Sequence, residues 1–298
     1  MKWEFLREEE FKGAIERSGG LCVLPIGCVE KHGQQCPVGT DSLEAIGITE
    51  EAAELEDVVV FPTGLWLGDL CGANTVKNPL EKRAAGNISL KPETILTVLE
   101  ELCDEIARNG FRKILFVNAH GGNIAMLKHF LRRQTCSDKT YATMFTRLEA
   151  PMIKRPDILY SYFAENQSEY PMLTADDMEV LKVWAEKGTW GGGHAGFVET
   201  AFVMGYYPEL IALDRLDAED GSSTHEADYL EDAGVIAAGA WGANFPNAID
   251  GLPAYGVSQT IGQAMNTLCA RELAKKFKLL KNDEKCVAIA TGKLQKEE

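Results

Sequence analysis

Three short, nearly unbroken apolar runs limit what this chain can fold into. Leu21-Cys22-Val23-Leu24-Pro25-Ile26-Gly27, Val58-Val59-Val60-Phe61-Pro62 and Ile114-Leu115-Phe116-Val117 have the length and the flanking breakers of buried strands. Tyr141 to Phe145 is a candidate fourth. Between them the apolar residues recur at helical spacing. Asp41 to about Leu55 reads as a helix capped by Asp41, with Leu43, Ile46 and Ala52 facing inward. Lys91-Pro92 opens another, carrying Ile95, Leu99, Leu102 and Ile106 and closed by Asn109-Gly110. Met126, Leu127 and Phe130 mark a third. Shorter helices are expected over Glu8 to Arg17, Asp176 to Trp184, Ala195 to Met204 and Met265 to Phe277. Strands alternating with helices predict an α/β fold, a mostly parallel sheet covered on both faces. No repeat, low-complexity block or linker divides the 298 residues, so one domain over 1–298 is expected.

Charge and cysteine content exclude several classes of partner. The chain carries 30 basic and 45 acidic side chains, a net charge of −15. Nucleic acid and anionic membranes need clustered Lys and Arg, so neither is an expected partner. An anionic substrate would have to be held by a local feature such as a metal. No Cys-x-x-Cys pair occurs among the eight cysteines, which argues against a cysteine zinc knuckle or a thioredoxin motif. The charged start, Met1-Lys2-Trp3-Glu4, is unlike a signal peptide. With free thiols, it points to a reducing cytoplasm.

Chemistry-bearing residues collect where strands end. After the first run comes Glu30-Lys31-His32-Gly33-Gln34-Gln35-Cys36-Pro37-Val38-Gly39-Thr40-Asp41, two carboxylates and an imidazole in a segment that Gly and Pro keep out of a single helix. Ligands of open α/β sheets bind at such strand ends. After the third run comes Asn118-Ala119-His120-Gly121-Gly122-Asn123, whose glycines let backbone approach a ligand. Further on, His194 ends the run Gly191-Gly192-Gly193, and Glu199 follows early in a helix. Each motif has a plain structural account: Glu30 and His32 as solvated loop residues, Asp41 as a cap, His120 as a satisfied core histidine, Glu199 as a first-turn acid favouring the helix dipole. Together they converge on a mixed nitrogen and oxygen metal site. Glu30, Asp41 and Glu199 with His32 and His120 suffice for two divalent ions bridged by one carboxylate, and Zn, Mn, Fe or Co suit such ligands. Residues 63–86, rich in Gly, Asn and Pro, resemble the loops that line pockets.

Taken in order, Glu30-x-His32-Gly33-x-x-x-Pro37-x-x-Thr40-Asp41, Asn118-x-His120-Gly121-Gly122-Asn123 and His194-Ala195-Gly196-x-x-Glu199-Thr200 resemble the three signatures of the creatininase (creatinine amidohydrolase) family, with Gly86-Asn87-Ile88-Ser89 as a weaker fourth. The resemblance implies a three-layer α/β/α sandwich, a dinuclear metal centre at the strand ends, hydrolysis of a non-peptide C–N bond in a cyclic amide or formamide, and a homo-oligomer, often a hexamer. Carried over, Glu30 and His120 bind one ion, His32 the other, and Asp41 bridges. Gly122 stands where creatininase has a carboxylate ligand, so Glu199 takes that place. Gln35 stands where a His is common. Both departures point away from creatinine itself as substrate. His194 would protonate the leaving nitrogen, because amine expulsion needs a general acid, and Glu199 is ligand, proton shuttle or both in this scheme. Trp190 matches an aromatic that covers the substrate in creatininase; ordinary packing explains it equally.

Other functions fit the same residues. A metal-binding assembly protein without hydrolytic activity would use the same ligands but has no need of His194. A branch acting on a modified peptide is a further alternative. A nicotinamide enzyme is disfavoured, because no Gly-x-Gly-x-x-Gly follows the first strand.

Overall fold

The structure is a computed structural model, and it describes residues 1–62, 68 and 85–293. Most of the Gly, Asn and Pro-rich stretch at 63–86 lies outside the described residues. In chain order the main elements are α1 (Phe11–Arg17), β1 (Leu21–Ile26), α2 (Thr40–Leu55), β2 (Val59–Val60), α3 (Pro92–Arg108), β3 (Lys113–Asn118), α4 (Asn123–Gln134), β4 (Ala142–Arg147), α5 (Pro156–Glu165), α6 (Ala175–Lys187), α7 (Phe197–Tyr206), α8 (Asp228–Asp232), α9 (Ala240–Asn244), α10 (Gln259–Lys281) and α11 (Lys285–Ala290). The strands form one parallel sheet in the order β2-β1-β3-β4.

Parallel strands buried on both faces explain why the apolar runs are continuous rather than alternating. Successive side chains still part to opposite sides. Leu21, Val23, Leu115 and Val117 join a core with Ile48, Phe202, Met265, Leu268 and Phe277 from α2, α7 and α10. Cys22, Leu24, Ile26, Ile114 and Phe116 join another with Leu99 and Ile106 of α3 and Leu127 and Phe130 of α4. Two helical layers therefore sandwich the sheet, the three-layer arrangement expected. Among the described residues no helix is long and apolar enough to cross a membrane.

Strand register sets the rim on which chemistry is built. Ile26 pairs with Asn118, and Asn118 with Arg147, so β1, β3 and β4 end level. The Glu30 and His120 loops leave from the same edge.

The details depart from expectation in three places. Asp41 does not cap α2: the helix starts at Thr40, with Gly39 at the N-cap, and the Thr40 hydroxyl donates to the Pro37 carbonyl at 2.7 Å. The inward face of α2 is Asp41, Ala45, Ile48 and Ala52, which leaves Leu43 and Ile46 only half-buried, because the site draws Asp41 inward and sets the helix's rotation. Helix α7 begins at Phe197 rather than Ala195, since Ala195 adopts a left-handed φ of 59° that a helix cannot contain. Helix α10 extends beyond the apolar stretch at both ends, its start capped by the Ser258 hydroxyl, which accepts from the Ile261 N–H at 3.1 Å.

Helix α10 lies across the core, and burial of each large apolar side chain there contributes about 1.5–3 kcal/mol. Leu268 is 1% exposed, whereas Leu279 on the same helix is 67% exposed. We expect Leu268→Ala to lower unfolding stability by about 2–5 kcal/mol and Leu279→Ala by no more than about 0.5 kcal/mol, compared by urea denaturation.

Candidate metal centre

Glycine at the end of β1 makes the site possible. A Cβ on Gly27 would lie 2.4 Å from the Ser42 nitrogen and 2.5 Å from the Asp41 carbonyl carbon. Only glycine lets the start of α2 press against the strand end, and this contact brings Asp41 under the sheet rim. The Ser42 hydroxyl donates to the Cys28 carbonyl at 3.1 Å, and the Cys28 thiol donates to Asp41 Oδ2 at 2.9 Å.

The loop after β3 is tied down by its two asparagines. Asn118 donates to the His120 carbonyl at 2.7 Å, and Asn123 donates to the Gly27 carbonyl and to Asn118 Oδ1, both at 3.0 Å. His120 is thereby aimed at the β1 loop. Its Nδ1 stands 2.9 Å from Glu30 Oε1 and 3.0 Å from Asp41 Oδ2.

His32 approaches Asp41 from the other side. Its Nδ1–H donates to the Glu30 carbonyl at 3.1 Å, which frees Nε2 to face Asp41 Oδ1 at 3.1 Å and Glu199 Oε2 at 3.5 Å. Such a bond from the remote ring nitrogen to a carbonyl is how metal-binding histidines are oriented. Glu199 is folded back from the first turn of α7, its Oε2 accepting from the Ala195 N–H at 2.6 Å. His194 completes the group: its Nε2–H donates to the Lys31 carbonyl at 2.8 Å, leaving Nδ1 turned inward, 3.8 Å from Glu30 Oε1. The His32 and His194 rings lie 4.2 Å apart.

All six sequence-selected residues with titratable side chains thus meet at one rim. Two sets of donor atoms lie within 4.8 Å of one another and share Asp41: Glu30, Asp41 and His120 with Cys28, and His32, Asp41 and Glu199. Glu30, His32 and His194 form a third such group. Trp190 lines the adjoining cavity but is 5% exposed. Its Nε1–H is spent on the Ile153 carbonyl at 2.7 Å, and its ring stacks on Phe197 at 4.7 Å. Trp241, passed over in the sequence, packs edge-on against His194 at 5.4 Å. Gln35 donates to the Ala195 carbonyl at 2.8 Å and so braces the turn that presents Glu199.

Electrostatics at the cluster are those of a closely packed ionic group. Burial opposes charge on His32, but Asp41, Glu199 and Glu30 outweigh it and push its pKa up to about 10. His120 is likewise raised, against burial, by Asp41 and Glu30. Burial also opposes charge on Asp41, yet His32 and His120 hold its pKa well below the usual carboxylate range. Burial, aided by the His32 charge, lowers His194 to about 4; burial raises Glu199 to about 8. Two buried imidazoles held protonated by two buried carboxylates is the pattern of donors prepared for cations. Glu30 Oε1 supports the fit: it is buried and accepts no well-formed hydrogen bond, despite its ion-pair distance to His120. Carboxylates and imidazoles in this mixture match Zn²⁺, Mn²⁺ or Fe²⁺.

A cavity of about 660 Å³ opens over the cluster. Glu30, Asp41, Glu199, His120 and His194 form part of its wall, with Arg147, Glu149 and Lys154 elsewhere and Ile153, Val198 and Phe202 between. Glu44, one turn beyond Asp41 on α2, also lines it, although it is only 2% exposed. Neither Glu44 nor Cys28 was singled out from the sequence. The signal for Glu44 was its i,i+3 spacing from Asp41, which places both on one helix face.

The walls of the irregular half are held by close backbone approach. A Cβ on Gly192 would meet the Asp250 carbonyl oxygen at 1.9 Å. The Asp250 N–H donates to the His194 carbonyl at 3.1 Å, and Lys31 Nζ bonds Glu219 Oε1 at 2.6 Å and the Asn247 carbonyl at 2.9 Å.

Comparison with known proteins gives a consistent picture. A family model described as creatinine amidohydrolase matches residues 4–277. The creatinine amidohydrolase of Pseudomonas putida is 22% identical over 212 residues, covering 70% of this chain and 72% of that protein. The mycofactocin precursor peptide peptidase of Mycobacterium tuberculosis is 31% identical over 108 residues, 35% of this chain and 42% of the peptidase. A solved creatininase structure with manganese superposes with a TM-score of 0.62 at 19% identity, covering 95% of this chain and 99% of that one.

Because His32 and His120 are protonated in the metal-free protein, divalent ions must displace their protons. We expect proton release on loading zinc at pH 7, read by calorimetry in buffers of different ionisation enthalpy. The apparent affinity should rise as pH increases from about 6 to 9, towards the raised His32 value. A flat profile would contradict the assignment of these imidazoles.

Proposed function

The chain belongs to the creatininase family of amidohydrolases, and from that premise we propose that it hydrolyses a non-peptide C–N bond, in a cyclic amide or formamide of a small molecule, at a dinuclear metal centre. The observation that carries this reading is the division of one carboxylate: Asp41 Oδ1 faces His32 while Oδ2 faces His120, each at about 3 Å. Glu30 and His120 would hold one ion, His32 and Glu199 the other, and Asp41 would bridge. When bound, such ions polarise a carbonyl and lower the pKa of a water to about 7.

The chain's own residues account for proton traffic. His194 is neutral at pH 7, and its Nε2–H is committed to the Lys31 carbonyl. Its Nδ1 is therefore the atom that takes a proton from the attacking water and gives it to the leaving nitrogen, which must depart as an amine. Glu199, with its pKa raised to about 8 and its Oε2 held by the Ala195 N–H, is the second group able to share in that exchange. Ile153, Val198 and Phe202 give the cavity an apolar wall. Free cysteines among the described residues fit a reducing, cytoplasmic setting, and a hexamer is carried over from the resemblance.

One observation favours a second substrate class. The cavity is spacious for a single small ring, and a segment of the chain is similar to a peptide peptidase. A modified peptide is therefore the alternative substrate, cleaved by the same residues.

Two variants test the assignment against metal analysis and hydrolysis of lactams, formamides and short peptides. Asp41→Ala should lose bound metal and activity with its helical signal unchanged; full metal content with full activity would falsify the bridge. His194→Ala should keep its metal and lose about 10²–10⁴-fold in kcat, the usual size of a general acid–base contribution. A metal-loaded wild type that cleaves none of these compounds would favour the non-catalytic alternative.

A further inference from the structure

Apart from the ligand cluster, one cavity-lining acid is left without a partner among the described residues. Glu44 on α2 is 2% exposed, yet its Oε2 has no hydrogen-bond partner. It is absent from every group of side chains able to share an ion, so the metal centre does not explain it. It forms no ion pair among the described residues: the guanidinium of Arg147 is engaged with Glu149, at 3.3 and 3.4 Å. Its neighbours on the wall include Val198 and Phe202.

A buried polar atom lacking a hydrogen bond costs stability, and native proteins hold few of them. Retained in a cavity beside reactive groups, such an atom is completed by what enters. We propose that Glu44 is a specificity-determining residue, its buried carboxyl group receiving an N–H or O–H donor from the non-reacting part of the substrate. This rests on the amidohydrolase reading for the identity of the site but not for the state of the carboxyl group. A buried group of this kind rejects analogues that lack the matching donor more strongly than an apolar wall rejects a wrong shape. The substrate class is therefore an amide with a second donor beside the scissile bond. A cyclic ureide is its simplest form.

The test uses metal-loaded wild type, Glu44→Gln and Glu44→Met. The probes are 5,6-dihydrouracil, which has a second ring N–H, and 2-piperidone, a six-membered lactam without one. We expect Glu44→Met to lose about 10-fold or more in kcat/KM or affinity for dihydrouracil, with piperidone little changed and metal content unaltered. Glu44→Gln, which keeps hydrogen-bonding capacity, should recover part of the loss. Equal weakening of both probes would overturn the proposal. A second arm needs no substrate. Removing an unsatisfied buried carboxyl should raise Tm, by about 2–4 °C in the Met variant, whereas a fall in Tm shows a structural role and also overturns it. If wild type cleaves no amide, the amidohydrolase reading fails while the thermal arm still decides whether Glu44 is held unpaired.

Discussion

A single carboxylate held between two imidazoles governs this molecule. Asp41 is 1% exposed and could not stay ionised there without partners. His32 and His120 supply them in the metal-free protein, and the surrounding structure fixes their positions: Gly27 admits α2, the Asn118 and Asn123 bonds lock the His120 loop, and the Glu30 carbonyl orients His32. Removing one member of such a buried group leaves the others uncompensated, which is why the cost of losing one exceeds the net worth of the set. The rotation of α2, with Ile46 half-buried and Ile48 sealed, follows from the same demand.

The sheet supplies the frame and the loops supply the chemistry. The level ends of β1 and β3 put two segments at one rim, in keeping with the rule that open parallel sheets bind ligands at the carboxyl ends of their strands, and the turn before α7 brings the third. Histidine tautomers are assigned by backbone carbonyls on both sides: Glu30 for His32 and Lys31 for His194. The adjacent residues 30 and 31 thus direct the two rings, so the β1 loop positions both a candidate ligand and the candidate proton carrier.

Much of this is legible in the amino-acid sequence. The apolar runs became strands because burial on both faces leaves no polar alternation to confuse the pattern. Glu30, His32, Asp41, His120, His194 and Glu199 could be singled out because glycine, proline and asparagine mark where regular structure stops. What could not be read depended on helix rotation and distant contacts. Glu44 resembles any helical acid until α2 is turned inward, and Asp41 resembled a cap for the same reason. Trp241 sits in a segment without periodicity, so nothing local announced that it would meet His194. The left-handed Ala195, which delays the start of α7, is imposed by Gln35 and Glu199 rather than by its own preference.

The contact of Gly192 with the Asp250 carbonyl has a consequence for how the molecule matures. Glu30, His32, Asp41 and His120 all lie in the first 120 residues, made early in translation, whereas Glu199 and the segment that clamps His194 emerge much later. A nascent chain therefore holds Glu30, His32, Asp41 and His120 before Glu199 and the backbone that clamps His194 have been made. Closing the rim thus waits on residues 191–250, and a chain cut short before Asp250 would lack the backbone bond that holds the His194 carbonyl.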